Sequence, residues 1–331
     1  MSGSIDQRVV ITDSAELLRP GIESLRSRGV TVDVVAEGAP DSDLTATLAG
    51  APVAIVGLRP LDAGKIAEID GTGLLIRAGI GYDIIDVPAA TAHGIWVANV
   101  PDYCVDEVAD HTLLLLLSAW RRIAQMQAIW QAGRWVDPAR VPPVQRIRGR
   151  RLGVVGFGRI GRAVARRALA FGWEVIVHDP LVAEDDVRVS DATPVSLDEL
   201  FATSDAVTLH CPLTPATEHL VDVERLRSVR PGLVLVNTSR GGLVDLSAIG
   251  PALDDGRLGA LGLDVVEGEP APDLTNPLFR RPEVVLTPHL AWYSHESRRD
   301  LALFAAEEAY RYLSGERPRH LINPDARRTP G

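Results

Sequence analysis

Leu152–Pro180, LGVVGFGRIGRAVARRALAFGWEVIVHDP, is the stretch that decides how this 331-residue chain folds. Gly156, Gly158 and Gly161 are spaced as G-x-G-x-x-G directly after the apolar run Leu152-Gly153-Val154-Val155. Ile160, Val164 and Ala168 recur at helical spacing, and a second apolar run, Val175-Ile176-Val177, leads to Asp179. The pattern predicts a strand, a tight glycine turn, a helix and a second strand closed by a carboxylate. A dinucleotide pyrophosphate needs such a unit: Gly156 permits the turn, Gly158 lets the backbone approach the phosphates, and Gly161 lets helix and strand pack closely. The start of the helix, at Arg159 and Ile160, offers N–H groups and a partial positive charge to the anion. Asp179, 18 residues past Gly161, can accept from both ribose hydroxyls and would repel a 2′-phosphate, and no Arg or Lys follows in Pro180-Leu181-Val182. NAD is therefore expected rather than NADP.

Strand-like and helix-like segments alternate on both sides of this unit. Before it, Arg8–Thr12, Val30–Val35, Val53–Val56, Leu74–Ile76 and Ile95–Val97 read as strands separated by short helices, with Asp13 or Ser14 and Asp62 as helix caps. From Asp102 to about Gln131 the pattern predicts one long helix. Leu113–Leu117, Trp120, Ile123 and Trp130 make it apolar all round, so it is expected to be buried, bridging two domains and forming a subunit interface. A looser stretch with three prolines, Asp137–Gln145, follows it. Ala206–Leu209, Leu233–Val236, Leu261–Asp264 and Val284–Leu286 complete the second set of strands, and a last helix, His295–Leu313, is expected to return to the first domain. The fold class is α/β with two doubly wound domains. A Rossmann NAD-binding domain over residues 101–291 is expected to be inserted in a first domain made of 1–100 and 292–331, which the family resemblance given below implies to be a flavodoxin-like substrate domain.

Composition narrows the partners. A formal charge of −10 argues against nucleic acid or an anionic membrane. The basic run Arg146–Arg151 reads as a solvated connection. Apolar content of 46% and charged content of 24% suit a globular enzyme. The two cysteines, Cys104 and Cys211, lie far apart and show no metal-ligand spacing, so no metal and a reduced, cytoplasmic setting are expected. MSGSIDQRVV carries no signal-peptide pattern, and Leu113–Leu117 is too short to span a bilayer, which takes ~20 residues.

Three polar segments fall at the ends of the later strands, where open α/β sheets place ligands. They are Asn237-Thr238-Ser239-Arg240-Gly241-Gly242-Leu243-Val244-Asp245, Leu263-Asp264-Val265-Val266-Glu267-Gly268-Glu269-Pro270, and Leu286-Thr287-Pro288-His289-Leu290-Ala291-Trp292. Arg240 could grip a carboxylate through two parallel hydrogen bonds, or stand solvated in a helix-entry loop. His178, His210, His219 and His320 have no chemical context, whereas His289 follows a strand with Arg and Glu candidates on its neighbours.

With these motifs the chain resembles the D-isomer-specific 2-hydroxyacid dehydrogenase family over nearly its whole length, and the resemblance assigns roles. Arg240 would orient the carboxylate and 2-oxo group of a small 2-oxo acid, His289 would give or take the proton on oxygen, and Glu269 would stabilise the imidazolium form of His289. NAD(H) would supply the hydride. Asp264 would hold the nicotinamide carboxamide, and Thr112, Pro212 and Thr238 would line the cofactor. Backbone N–H groups of Ala78, Gly79 and Ile80 would hold the substrate carboxylate; Gly79-Ile80-Gly81 lacks the third glycine of a cofactor turn. The segment T-P-H-L-A-W-Y-S, Cys104 and Arg146-Ile147-Arg148-Gly149 resemble the corepressor branch of the family, in which the aromatic matching Trp292 faces the substrate pocket. Trp292 is thus either an apolar wall for the substrate tail or a plain interface residue. The branch also implies an alternative function, an NAD(H)-responsive binding protein with little turnover. Glu269 argues against formate oxidation, for which relatives carry glutamine, while phosphite oxidation is not excluded. The expected assembly is a homodimer.

Overall fold

The computed structural model describes residues 7–135 and 143–326. Most of the N-terminal segment read for a leader, and residues 137–142 of the proline-bearing stretch, lie outside the described residues. The chain divides into two compact units, one made of residues up to Cys104 together with Tyr293 onward, the other Val105–Trp292. The breaks fall slightly beyond the expected 100/101 and 291/292, so Trp292 belongs to the second unit rather than to the first.

In the first unit, β1 (Arg8–Ile11), α1 (Arg19–Ser27), β2 (Thr31–Val34), α2 (Asp41–Leu48), β3 (Val53–Val56), α3 (Ala63–Glu68), β4 (Leu74–Arg77), α4 (Val87–Ala92) and β5 (Trp96–Ala98) alternate along the chain. Its five strands are parallel in the order β2-β1-β3-β4-β5, the flavodoxin-like arrangement. β3 is buried along its whole length because helices cover both faces of the sheet. Successive residues of β1 serve opposite faces: Val9 and Ile11 join a cluster with Ile22 and Leu25, Val10 one with Leu44, Leu48 and Ile66.

The second unit opens with α5 (Val105–Trp120) and α6 (Ile123–Gln131). It continues through β6 (Arg151–Val155), α7 (Arg159–Ala170), β7 (Glu174–His178), α8 (Glu184–Arg188), β8 (Thr193–Pro194), α9 (Leu197–Thr203), β9 (Ala206–Leu209), α10 (Val223–Arg227), β10 (Leu233–Asn237), α11 (Leu246–Asp254), β11 (Leu258–Leu263) and β12 (Val284–Leu286). Seven parallel strands run in the order β12-β11-β10-β9-β6-β7-β8, the doubly wound Rossmann order with its reversal between β6 and β9. Chain order places the G-x-G-x-x-G turn after β6 and the Arg240, Glu269 and His289 segments after β10, β11 and β12, at the carboxyl ends of the strands. The two-residue edge strand β8 is too short to leave a sequence pattern.

The last helix, α12 (His295–Leu313), starts on a Ser294–Ser297 capping box and packs in the first unit against α1, β3 and β4. It buries Leu301, Ala302, Ala305, Ala306 and Ala309. Its contact with α1 is close enough that a Cβ at Gly21 would lie 2.2 Å from the carbonyl oxygen of Ala302. A small residue on each helix is therefore what lets the C-terminal segment close a domain begun at the other end of the chain.

Two expectations are corrected. The long helix is two helices, broken at Arg121-Arg122, where Arg122 adopts φ 59° and its guanidinium donates to the carbonyl of Gly259. α5 packs on β10, β11 and α7 and so forms a layer of the second unit itself instead of a bridge. It is not buried all round: Leu113, Leu115 and Leu116 face the core while Leu114 is 56% exposed, and α6 buries no residue. Nor does Asp13 or Ser14 cap α1, which begins at Arg19 behind Leu18 without a side-chain cap. The Asp13 carboxylate is turned instead to the loop after β3, accepting from the N–H of Leu58 (2.8 Å) and Arg59 (3.1 Å). Asp62 does cap α3, accepting from Lys65 N–H at 3.0 Å.

Candidate active site

The glycine turn is built by packing as much as by backbone freedom. Gly156 adopts φ +91°, and a Cβ there would lie 2.6 Å from the backbone of His210 and Cys211. A Cβ on Gly161 would come within 2.2 Å of the Gly156 carbonyl oxygen. Gly158, the N-cap of α7, is exposed, and a Cβ placed on it would meet nothing within 4 Å. Two glycines thus serve the fold, and the third keeps a cradle open over the start of a helix that no side chain caps. Arg159 is exposed and Ile160 half-buried in that first turn. Asp179 follows β7; its carboxylate accepts from Phe157 N–H at 2.7 Å and Leu181 N–H at 2.8 Å, which fixes it against the glycine turn. These residues fit a dinucleotide: open cradle, uncapped helix start and fixed carboxylate lie together.

Around the ends of β9 and β10, Pro212 is exposed, while Thr112 is fully buried on α5. Thr112 donates to Val108 O at 2.7 Å, so at their 2.8 Å contact Thr238 is the donor to Thr112. Thr112 therefore stands behind Thr238 and supports it without reaching solvent, a correction to its expected place along the cofactor. Thr208 and His210 also pair at 3.0 Å; desolvation of the half-buried His210 ring lowers its imidazole to about 3.

Arg240 follows β10 in extended backbone, its guanidinium donating to Ser239 O at 2.8 Å. The next residue, Gly241, lies so close to Val266 and Glu267 that a Cβ would sit 2.1 Å from the Val266 carbonyl carbon. The arginine loop and the glutamate segment are therefore stacked backbone on backbone. Glu269 Oε1 accepts from Val266 N–H at 2.7 Å, and Oε2 takes a short hydrogen bond from His289 Nδ1. Burial pushes the Glu269 carboxyl upward, but the His289 hydrogen bond and charge, the Val266 N–H and the nearby Arg240 charge outweigh it and hold the group below the usual carboxylate range. With Nδ1 engaged, the far nitrogen of the ring, Nε2, is the one turned from Glu269. Trp292 donates its indole N–H to His289 O at 3.0 Å. The structure thus joins Arg240, Glu269, His289 and Trp292 within the second unit. Such a set can hold an anion and move a proton at one nitrogen.

Asp264 is 2% exposed, and its carboxylate accepts from Thr287 Oγ1, Leu290 N and Ala291 N, organising the loop that carries His289. This departs from its expected place against a cofactor amide. In the first unit, Ala78 N–H bonds Val56 O and Gly79 N–H bonds Arg77 O, so of the three expected carboxylate donors Ile80 is the one whose N–H is left for a ligand. The sequence also passed over His219, which is 2.6 Å from Glu267, a contact that raises its imidazole. The signal for it was weak, a histidine and a glutamate 48 residues apart. Among the described residues no group of three metal-ligating side chains occurs, and no helix is long and apolar enough to cross a membrane.

Comparison with known proteins agrees with this fold. Residues 113–291 match the family model described as D-isomer specific 2-hydroxyacid dehydrogenase, NAD binding domain. The chain is 39% identical over 269 residues to a glyoxylate reductase of Korarchaeum cryptofilum, covering 80% of each protein. It is 39% identical over 287 residues to a D-3-phosphoglycerate dehydrogenase of Mycobacterium leprae, covering 86% of this chain but spanning 54% of that protein's length. A D-lactate dehydrogenase from Aquifex aeolicus, solved with NAD and lactic acid, superposes with a TM-score of 0.84 at 25% identity, covering 98% of this chain and all of that one. The parallel α/β fold, the NAD-binding turn and these relatives together make the chain an NAD-dependent oxidoreductase that belongs to the D-isomer specific 2-hydroxyacid dehydrogenase family.

Proposed function

We propose that the protein interconverts a small D-2-hydroxy acid and its 2-oxo acid, with His289 as acid and base, Glu269 holding it, and Arg240 binding the substrate carboxylate. The carrying observation is the His289–Glu269 pair on the loops after β12 and β11, with the Arg240 loop stacked beside it on the sheet that bears the glycine turn. NAD(H) supplies the hydride when bound; Gly156, Gly158, Arg159, Ile160, Gly161 and Asp179 hold its diphosphate and ribose, and Pro212 and Thr238 lie along it. During reduction Arg240 orients the carboxylate with a planar fork of donors. His289 Nε2 delivers a proton to the 2-oxo oxygen, and the ionised Glu269 holds the ring by Nδ1 and offsets its positive charge. Oxidation reverses the proton's path. Trp292, fixed to the His289 carbonyl, offers a flat apolar wall that favours an apolar tail on the substrate over a phosphorylated one.

Oxidation of NADH across a panel of 2-oxo acids, glyoxylate, pyruvate and longer apolar members included, tests this reading. His289→Ala is expected to cut kcat by about 10²–10⁴ while NADH still binds. Full activity in that variant would overturn it. Negligible turnover by the wild type with tight NADH binding would favour the corepressor-like binding protein. Cys104 and Cys211 are both buried and are not joined in a disulfide, which supports a reducing compartment such as the cytoplasm.

A further inference from the structure

Thr287, two residues before His289, has a hydroxyl oxygen 2.6 Å from Asp264 Oδ1 and 2.9 Å from His111 Nε2. Asp264 Oδ1 also accepts from Leu290 N–H at 3.0 Å, and Oδ2 from Ala291 N–H at 2.9 Å. A carboxylate so surrounded acts as acceptor, and 2.6 Å is the length of a charge-assisted O–H···O bond, so the single Thr287 proton points to Asp264. Thr287 Oγ1 must then accept from His111, which requires a hydrogen on Nε2. A second distance gives the same answer. Nε2 lies 3.6 Å from Asp264 Oδ1, where an N–H is attracted and a lone pair repelled.

These bonds reach the proposed acid–base residue. His289 N–H donates to Asp264 O at 2.8 Å and Thr287 O at 3.1 Å, and His289 adopts φ +54°. A non-glycine residue keeps that left-handed conformation only where its surroundings fix it. The fixing groups come from three elements: His111 on α5, Asp264 after β11, and Thr287 after β12.

We infer that His111 is a positioning residue for His289: its Nε2–H donates to Thr287, and the His111–Thr287–Asp264 chain holds the left-handed turn that sets the His289 ring. The inference rests on the reading of His289 as acid and base.

Ring-nitrogen NMR of the full-length wild-type protein, with the His111 ring signals assigned by their scalar connection to the His111 backbone, tests the tautomer. A hydrogen on Nε2 is expected; a bare Nε2 overturns the inference, and this measurement stands even where a variant fails to fold. In kinetics, His111→Ala is expected to lower kcat about ten- to a hundredfold through misplacement of the ring. KM for NADH should stay within about twofold, and His111→Gln, whose amide N–H can replace Nε2–H, should recover kcat to within about threefold of wild type. Wild-type kcat in His111→Ala, or His111→Gln no better than His111→Ala, overturns it. Full activity in His289→Ala marks failure of the parent reading; an inactive His289→Ala beside a fully active His111→Ala marks failure of this inference alone.

Discussion

At the end of β1 the carboxylate of Asp13 collects hydrogen bonds from the hydroxyls of Thr12 and Ser14 and from the N–H groups of Leu58 and Arg59. Burial pushes its carboxyl up, but the Ser14, Leu58, Arg59 and Thr12 bonds outweigh it and leave the group below its ordinary 3.8. A depressed folded pKa means that the stabilisation is fully present above the unfolded value and is lost as pH falls through the folded one. Asp13→Asn is therefore expected to lower the unfolding free energy by about 1–3 kcal/mol at neutral pH. The gap from wild type should narrow only below pH 3.8. Urea midpoints measured from pH 7 down to pH 2.5 check this, and a gap independent of pH would refute it. Legibility at this scale follows chemistry. Arg240, Glu269 and His289 stand out because each reaction role tolerates few residue types at strand ends. The loop-holding roles of Asp13, Asp264 and His111 do not, because the partners Leu58, Thr287 and again Thr287 are 45, 23 and 176 residues away and leave no local spacing.

The β6–turn–α7 element separates two kinds of glycine. Gly156→Ala places a methyl against the backbone of His210 and Cys211 in a conformation that disfavours any side chain, so a loss of about 1–3 kcal/mol or more in stability is expected. Gly158 has φ −71° and open space beyond it. Gly158→Ala should keep the wild-type melting temperature while KM for NADH rises, because the methyl occupies the cradle. Thermal melts and NADH titration of the two variants give this test, and a Gly158→Ala protein with unchanged KM would refute the cradle. The turn was readable because strand, glycines and helix are contiguous. α5 and α6 were misread because counting apolar residues around a helix does not show which face has a partner: Leu114, Ile123 and Trp130 are 56%, 43% and 68% exposed.

For the whole molecule, those exposed side chains, with Trp135 at 90%, all lie on α5, on α6 or just after it, where a second copy could cover them. They support a homodimer, with static light scattering expected to give about twice the mass of the 35.6 kDa chain at assay concentration. A monomer there would refute it. Two parallel sheets were legible as alternating strand and helix signals; the edge strand β8 and the exact points of chain crossing were not, since β8 has two residues and composition does not change at Cys104 or Trp292. The return of α12 to α1, with Gly21 against Ala302, has a consequence for synthesis. A nascent chain leaves the ribosome from its N-terminus, and domains fold as their segments emerge. The first sheet must then wait, the part of β3 and β4 that α12 covers left open beside α1, until the whole inserted unit has been made. The domain that is begun first is finished last, and the NAD-binding unit is complete before its host.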